Sequence, residues 1–349
     1  MRITMKQIAE KAGVHRSTVD KVLHGRPGVS EPVRERIKSI IEECGYRTNE
    51  AGFALRMQEK TFRIAVILMD VNAVEYNQRG IERGLSEYQA YNILTERHIL
   101  DPRNAEPMLE ILRSIERERS ADGVILMPHS SDDLKRSVNA LKAAGIPTVL
   151  INSDLSDCDA LCYIGADNAR SGRFAAHLMG LCLGGRGKIA MMVSSVDPAQ
   201  SNASVKVREE AFRAFVRAEY PEMEIAATEE NFESPEISYE KTLRLLRERA
   251  DLRGIYNAGG GAYKLGVAVE ESGLSGKLVV ITHELYPEII RLIERGTITC
   301  TIGSELNNQG FLAAKTLMDA LIFKKYPNAG KLYTKSELIL KENADAAEP

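Results

Sequence analysis

Residues 4–25 read TMKQIAEKAGVHRSTVDKVLHG and predict two short helices joined by a tight turn. Thr4 is placed to cap the first helix, and Gln7, three residues later, completes a capping box. Gly13 suits the left-handed residue that ends this helix, and a second helix is expected from about Arg16 to Leu23. This pattern is typical of a helix-turn-helix, whose second helix lies in the major groove of DNA.

A third helix is expected after the second. Ser30 is placed to cap it, Pro32 suits its first turn, and Gly45 is placed to end it. Apolar residues between them recur on one helical face, namely Val33, Ile37, Ile40, Ile41 and Cys44. Helices this short bury little surface alone, so we expect all three to pack around a shared core of Ile8, Val19, Val22, Leu23, Ile37 and Ile41.

The charge distribution separates a basic head from an acidic body. Residues 1–60 contain 12 Lys and Arg against 8 Asp and Glu, whereas the whole chain carries a net charge of −3, which leaves −7 for residues 61–349. Attraction to phosphate predicts such a basic head. Together with outward Arg16, Ser17 and Lys21, it favours DNA binding over a small helical bundle without a partner.

The chain resembles the lac-repressor-type (LacI/GalR) family. The segments MKQIAEKAGVHRSTVDKVLHG, VSEPVRERI and GYRTNEAGFALR carry the resemblance, which extends over essentially the whole sequence. It implies that residues on the second helix read base edges and that Thr18 contacts phosphate. The expected DNA-binding residues are Thr4, His15, Arg16, Ser17, Thr18, Lys21, His24, Asn49 and Leu55.

The resemblance also implies a hinge helix, from about residue 48 to 57, that forms only on the operator. Leu55 would be its apolar wedge between base pairs in the minor groove; the alternative is an exposed or interdomain apolar residue. The head departs from the family pattern at His15 and Asp20, where Ser is usual, at His24, where Asn is usual, and at Thr48, where Pro is common. Because Asp20 adds negative charge near the DNA, we do not expect the operators of relatives to transfer.

From Phe62 onward, short apolar runs alternate with amphipathic stretches. The runs are FRIAVILMDV, DGVILMPH, IPTVLINS, KIAMMVSS, RGIYNAG and KLVVITH. Such strands with helical crossovers indicate buried parallel sheets with helices on both faces, and a body of about 280 residues is large enough for two cores. The expected fold class is an all-α helix-turn-helix head plus an α/β, periplasmic-binding-protein-like domain of two doubly wound parallel-sheet lobes.

The expected domain boundaries are 1–46 for the head, 47–60 for the hinge helix and linker, and 61–349 for the effector domain. The resemblance implies that the chain passes between the lobes three times, near 163–166, 303–305 and 324–326. The first lobe would then comprise about 61–164 and 304–324, and the second about 165–303 and 325–341.

Ligands of such sheets bind beyond the carboxyl ends of the strands, which here means between the lobes. Polar and aromatic side chains near these ends are the expected effector contacts, namely Asp70, Asn72, Asn152, Asp154, Asn168, Arg208, Phe232, Asn257, His283 and Glu284. Amides, carboxylates and a guanidinium suit the hydroxyls of a sugar or polyol, and Phe232 is expected to stack on a sugar face.

The resemblance to sugar-binding periplasmic-type domains puts Asn168 and Arg208 on ligand-contacting positions. Other ligand positions have changed: His283 stands where Asp is usual, Gly259 near another usual Asp, Ser304 where Gln is common, and Asn152-Ser153 where Asp-Arg is frequent. An amino sugar, an inositol-like polyol and a sugar acid therefore all remain open as the effector.

Motifs of enzymes are mostly absent from the sequence. Cys182 stands where a phosphate-binding loop ahead of Gly187-Lys188 would need Gly, and neither H-E-x-x-H nor G-x-S-x-G occurs. His283-Glu284 is interpreted as a hydrogen-bonding pair rather than an acid–base pair. The five cysteines, at 44, 158, 162, 182 and 300, lack C-x-x-C and are interpreted as reduced thiols. We expect no enzyme activity, catalytic residue, metal or cofactor.

The first ten residues, MRITMKQIAE, lack the apolar segment of a signal peptide, and no run approaches 18 apolar residues. We therefore expect a cytoplasmic protein without a membrane partner. The sequence predicts a ligand-regulated transcription factor, in the first place a repressor, that binds a near-palindromic operator in double-stranded DNA as a homodimer or higher homo-oligomer. The alternative is a DNA-binding regulator whose receptor-like domain responds to a protein partner or has lost ligand binding.

Overall fold

The computed structural model describes residues 4–23, 27–44, 59–72, 74–102, 104–196 and 202–347. The chain divides into two compact units, Met1–Lys60 and Thr61–Pro349. His24, Asn49 and Leu55 lie outside the described residues, as do Gly45 and the hinge helix expected at about 48–57. Those expectations stay predictions.

The described part of the head consists of helices α1 (Met5–Ala12), α2 (Arg16–Leu23) and α3 (Glu31–Glu43). The predicted capping box at the start of α1 is confirmed. The backbone N–H of Gln7 donates to Thr4 Oγ1 at 3.3 Å, and the N–H of Thr4 donates to Gln7 Oε1 at 2.8 Å. Gly13 ends the helix with φ 65°, in the left-handed region where a residue without Cβ is favoured.

The starts of α2 and α3 use other devices. His15 precedes α2, and its Nδ1 accepts from the backbone N–H of Ser17 at 3.4 Å, so an imidazole occupies the place of the usual hydroxyl cap. The prediction that Ser30 caps α3 is wrong for its side chain, which makes no capping hydrogen bond. Pro32 lies in the first turn of α3 and has no N–H, so one of the backbone donors from which a cap side chain usually accepts is missing.

The core of the head is built from one face of each helix, as predicted. Ile8, Val19 and Ile37 are fully buried and belong to one hydrophobic cluster, which also includes Ala9, Ala12 and Val22. Leu23 and Ile41 pack against it while partly exposed. The opposite face of α2 is thereby left to the solvent.

Strands and helices alternate in the second unit. The strands are β1 (Thr61–Met69), β2 (Asn92–Leu100), β3 (Gly123–Leu126), β4 (Thr148–Ile151), β5 (Cys162–Ala166), β6 (Arg186–Val193), β7 (Glu222–Glu230), β8 (Leu252–Asn257), β9 (Val279–His283), β10 (Cys300–Gly303), β11 (Lys331–Thr334) and β12 (Glu337–Ile339). The helices are α4 (Val74–Ser86), α5 (Glu106–Glu118), α6 (Asp132–Ala143), α7 (Asn168–Leu183), α8 (Ala203–Glu219), α9 (Pro235–Glu248), α10 (Ala262–Glu271), α11 (Pro287–Glu294) and α12 (Leu306–Phe323).

These elements form two lobes, each around a six-stranded sheet. The strand order is β11-β5-β4-β3-β1-β2 in the first sheet and β12-β10-β9-β8-β6-β7 in the second. Neighbouring strands are parallel throughout, except that β12 runs antiparallel to β10. The central strands β3 and β4 are buried along their whole length, which is why their sequences are continuous apolar runs.

The chain crosses between the lobes at places that correct two of the expected boundaries. Strand β5 stays in the first sheet to its end, where Gly165 and Ala166 pair with β11, so residues 165–166 belong to the first lobe. The crossing expected at 324–326 is wrong, because Lys331–Thr334 pairs in parallel with β5 and the chain reaches the second sheet only with Glu337–Ile339. Strand β11 is short and largely polar, KLYT, so no apolar run marks it in the sequence.

Helix α12 begins directly at a crossing and packs closely on α4. A Cβ at Gly80 would overlap the backbone carbonyl of Asn307, and a Cβ at Gly310 would overlap that of Asn77. The side-chain amide of Asn77 donates to the carbonyl of Leu306 at 2.9 Å. The start of α12, which borders the space between the lobes, is thereby held in place. Among the described helices, none combines the length and apolar character that crossing a bilayer requires.

Candidate ligand cleft and nucleic-acid interface

A cleft of about 110 Å³ lies between the two lobes at the carboxyl ends of their strands. The first lobe contributes Met69, Val71, Asn72, Met127, Asn152 and Leu306. The second contributes Asn202, Ser204, Val205, Arg208, Glu233, Gly259, Gly260, His283, Glu284 and Tyr286. Since roughly 10–15 Å³ of such space holds one water molecule, the cleft has room for a small molecule surrounded by both polar and apolar groups.

Arg208 is the central cation of the cleft. It lies on α8 and is 7% exposed. Its guanidinium donates hydrogen bonds to three different segments of the chain. Its Nε donates to Asn168 Oδ1 at 2.9 Å, its Nη1 to the carbonyl of Ala258 at 3.2 Å, and its Nη2 to Glu284 Oε1 at 3.3 Å. A planar guanidinium held at three nitrogens has a fixed orientation.

Glu284 follows β9 with φ 66°, in the left-handed region that non-glycine residues seldom adopt. Its second oxygen accepts from the hydroxyl of Ser304 at 2.8 Å, so the carboxylate connects Arg208 to the second crossing between the lobes. Burial raises the pKa of Glu284, while the positive charge of Arg208 and the hydroxyl of Ser304 act in the opposite direction. The group is a buried acceptor rather than a freely solvated charge.

His283, the residue before it, is 3% exposed and its Nε2 lies 2.9 Å from the hydroxyl of Tyr256. Burial, and to a lesser degree the charge of Arg208, hold the pKa of His283 well below its usual value. The imidazole is therefore neutral near pH 7 and serves the cleft as a hydrogen-bonding group. Tyr256 stacks on Phe212 at 4.3 Å between ring centres, which fixes the partner of His283.

The predicted effector residues fall into two sets. Asn72, Asn152, Arg208, His283 and Glu284 line the cleft together. Asn168 is buried directly behind Arg208 as its hydrogen-bond acceptor.

The other four do not line it. Asp70 is exposed at the end of β1. Asp154 pairs with Lys331 at 2.5 Å, on the side of the sheet where β11 lies. Asn257 is fully buried and donates to the carbonyl of Gly259 at 2.6 Å, so it shapes the glycine loop from below.

Phe232 is the clearest departure from the expected cleft. Its side chain is 47% exposed, and Lys241 Nζ lies 6.0 Å from the ring centre. Phe232 and Glu233 both have positive φ, 50° and 56°, so the backbone turns between them. The following residue, Glu233, therefore lines the cleft in its place.

Besides apolar residues and glycines, four polar side chains of the cleft were not predicted from the sequence, namely Asn202, Ser204, Glu233 and Tyr286. Asn202 caps α8 through its side chain, which accepts from the N–H of Ser204 at 2.9 Å. Burial raises the pKa of Tyr286 to about 12, and the Asn72 side chain acts in the opposite direction. The Asn-x-Ser start of a helix and a Tyr three residues after a strand were signals available in the sequence, but neither is specific.

The outer face of α2 is the candidate nucleic-acid interface. Arg16, Ser17 and Lys21 are exposed, and Thr18 is half-buried beside them. Because Val19 and Val22 hold the opposite face in the core, the polar residues form one continuous outward surface. Asp20 lies among them, partly buried, and lowers the positive charge of this face.

Comparison with known proteins agrees with both parts of this description. Residues 65–325 match the family model described as periplasmic binding protein domain, and residues 4–49 match that of bacterial regulatory proteins, lacI family. The chain belongs to the periplasmic binding protein domain family and carries a lacI-type helix-turn-helix ahead of that domain.

Two curated relatives are regulators. The chain is 31% identical over 155 residues to catabolite control protein A of Priestia megaterium, and 31% identical over 156 residues to the HTH-type transcriptional regulator RegA of Clostridium saccharobutylicum. Each match covers 44% of this chain and 44% of the relative. The chain thus spans less than half the length of the curated relatives it matches.

Solved structures share the fold of the second unit. A solute binding protein from Burkholderia graminis in complex with D-arabinose has a TM-score of 0.76 at 18% identity, and the match covers 82% of this chain and 98% of that one. A putative LacI transcriptional regulator from Bacteroides fragilis has a TM-score of 0.74 at 24% identity, covering 83% and 100%. At these identities the similarity establishes the fold alone.

Proposed function

We propose that this protein is a sequence-specific DNA-binding transcriptional regulator, in the first place a repressor, whose operator affinity is controlled by a small sugar-like or polyol effector. The observation that carries the proposal is the combination of a lacI-type head with a cleft that contains a buried arginine and lies at the carboxyl ends of the parallel strands of two lobes. A protein that only bound sugar would have no use for the exposed, basic face of α2.

In this proposal, Arg16, Ser17 and Lys21 of the α2 face read base edges in the major groove. Thr18 and His15 would contact phosphate, and Thr4 would do so from the start of α1. One short helix reads few base pairs, so the proposal includes a homodimer in which two heads bind a near-palindromic operator.

The cleft is connected to the crossings between the lobes, which supports a role in regulation. Arg208 contacts Asn168, the first helical residue after the first crossing. Through Glu284 it reaches Ser304 at the second crossing, and Gln309 of α12 donates to the carbonyl of Ser304 at 2.9 Å. A ligand that alters the bonds of Arg208 would therefore act on the segments about which the lobes move relative to each other.

The test is selection of DNA from fragmented genomic DNA by the full chain, followed by binding to the recovered sequence and to a scrambled competitor. The proposal expects a preferred sequence, with an affinity that changes when a sugar or polyol stabilises the protein. It is wrong if no fragment is preferred over the scrambled competitor, either with or without such a ligand.

A second candidate is a DNA-binding regulator whose receptor-like domain answers to a protein partner or has lost ligand binding. The internal bond from Arg208 to Glu284 favours it, since the guanidinium already has a carboxylate partner within the chain. The two candidates differ in one measurement: the second expects sequence-specific DNA binding but no thermal stabilisation by any sugar or polyol.

A further inference from the structure

The charged side chains that line the cleft carry a net negative charge. They are Arg208, Glu233 and Glu284, with a sum of −1 when both carboxylates are ionised. Arg208 and Glu284 are bonded to each other, and their side chains are only 9% and 19% exposed. The single positive charge is therefore already matched, which leaves the carboxylate of Glu233 as the excess charge of the cleft.

Neutral donors alone hold the Glu233 carboxylate. Its Oε2 accepts from the side-chain amide of Asn202 at 3.2 Å, and its Oε1 from the backbone N–H of Gly260 at 3.4 Å. Throughout the part of the chain that the structure describes, it has no Lys or Arg as a hydrogen-bond or ion-pair partner. Two amide donors orient the group without neutralising it.

The backbone supports the same orientation. Phe232 and Glu233 are consecutive non-glycine residues with positive φ, a conformation that L-residues adopt at some cost. The turn leaves Phe232 exposed and directs the carboxylate to the cleft, beside Gly259 and Gly260. The aromatic side chain would be the more favourable one to bury, so packing does not explain the arrangement.

A half-buried carboxylate without a cation is stabilised by any positive group that reaches it. Burial raises the pKa of Glu233, while the hydrogen bonds from Asn202 and Gly260 and, least of all, the charge of Arg208 act in the opposite direction. An ammonium group within hydrogen-bond distance would replace the lost hydration of the carboxylate with a charge-assisted bond. A carboxylate on the ligand, by contrast, would enter a cleft that is already net negative.

We propose that the effector is a sugar or polyol that carries a protonated amino group, with its ammonium on Glu233 and its hydroxyls toward Asn72, Asn152 and Ser204. This inference rests on the proposed function and narrows it. Of the three classes compatible with the sequence, it selects the amino sugar and excludes the sugar acid. Neutral polyols lack the group that Glu233 would bind.

The experiment compares ligands that share one ring and differ in charge. D-glucosamine, D-glucose and D-glucuronate form one set, and the corresponding galacto and manno compounds form two more. Each is measured against the full-length protein by thermal shift and calorimetry near pH 7. We expect an amino sugar to bind about tenfold more tightly than its neutral counterpart, the factor contributed by one charge-assisted hydrogen bond, and the uronates to bind more weakly still.

Two matched variants locate the effect. Glu233→Gln keeps the shape and the hydrogen bond from Asn202 but removes the charge, and should abolish the preference for the amino sugar. Glu236→Gln makes the same change at an exposed residue of α9 and should preserve it. The comparison of ligands on the wild-type protein does not depend on how either variant folds.

The failures can be told apart. If a neutral sugar or a uronate binds as well as the amino sugar of its set and alters operator affinity, the charge assignment is wrong and the proposed function stands. If no compound of any charge binds, both the charge assignment and a sugar-controlled cleft are wrong. A preference for amino sugars that survives Glu233→Gln also contradicts the proposal.

Discussion

Arg208 Nη2 donates to Glu284 Oε1 at 3.3 Å, and this pair joins the base of the cleft to the crossings between the lobes. Neither residue is fully solvated, so each needs the other. An ion pair of this kind adds little net stability compared with apolar side chains, but breaking it by removing one partner is costly because a buried charge is left behind. The pair therefore offers a way to separate folding from ligand binding.

Arg208→Ala should lower the free energy of unfolding by about 3 kcal/mol, the usual cost of an uncompensated buried charge. It should also abolish the thermal shift produced by any ligand of the cleft. The double variant Arg208→Met with Glu284→Gln removes both charges and should recover most of the stability, as judged by urea denaturation. Recovery of the ligand response together with stability would show that Arg208 acts only in folding.

His283 should contribute a loss of stability in mild acid, opposite in sign to the contribution of Glu233 and Glu284, whose pKa values burial raises. The folded-state pKa of His283 lies well below the usual value, chiefly through burial, whereas the unfolded chain takes up a proton near pH 6.5. Below about pH 6.5 the unfolded state binds more protons, so the free energy of unfolding falls, by roughly 1 kcal/mol per pH unit.

His283→Gln should reduce this slope, and His177→Gln, at an exposed histidine, should not. Burial also lowers the pKa of His129, so part of the slope should persist in the His283 variant. Urea denaturation at pH 7, 6 and 5 measures how the free energy of unfolding changes with pH in each variant. An unchanged slope in His283→Gln would mean that this imidazole is not kept neutral by the fold.

The capping box of α1 should contribute to the stability of the head. Thr4→Ala removes the acceptor of the Gln7 N–H and should cost about 1 kcal/mol. Hydrogen exchange of the backbone amides of Met5–Ala12 should accelerate accordingly, while that of β3 and β4 stays as it was. Thr4→Ser retains the hydroxyl and serves as the control; equal acceleration in both variants would argue against the cap.

The α2 face should provide sequence specificity rather than general attraction to DNA. Arg16→Ala and Lys21→Ala should each weaken binding to the preferred sequence by about 1–3 kcal/mol and affect random DNA much less. Lys38→Ala removes one positive charge from an exposed residue of α3 that pairs with Glu35, and controls for net charge. Titrations against both DNAs at one salt concentration test this prediction. Equal losses of affinity for the preferred sequence and for random DNA would mean that these residues contact phosphate rather than bases.

The sequence predicted the head closely because its signals are local. The capping box and the left-handed Gly13 involve residues within a few positions of each other. The buried central strands were equally predictable, because each is a continuous apolar run in the sequence. The outer strands β2 and β7 were not, because each has one neighbour and carries polar residues along its length.

The cleft was only partly predictable because its composition depends on distant packing. His283 follows from its position at the end of β9, and Arg208 from the resemblance to sugar-binding periplasmic-type domains. Asp154 occupies a similar position, yet it pairs with Lys331, 177 residues further along, and that contact has no local signal. Glu233 lines the cleft in place of Phe232 because both residues have positive φ angles, which no composition rule anticipates at non-glycine residues.

The central claim is that the cleft and the α2 face are thermodynamically coupled. Coupling is reciprocal, so the factor by which a bound sugar changes operator affinity must equal the factor by which operator changes sugar affinity, typically 5- to 150-fold. We predict equal factors different from one when both titrations are done by calorimetry on the full-length protein. A sugar that saturates the cleft and leaves operator affinity unchanged would contradict the account.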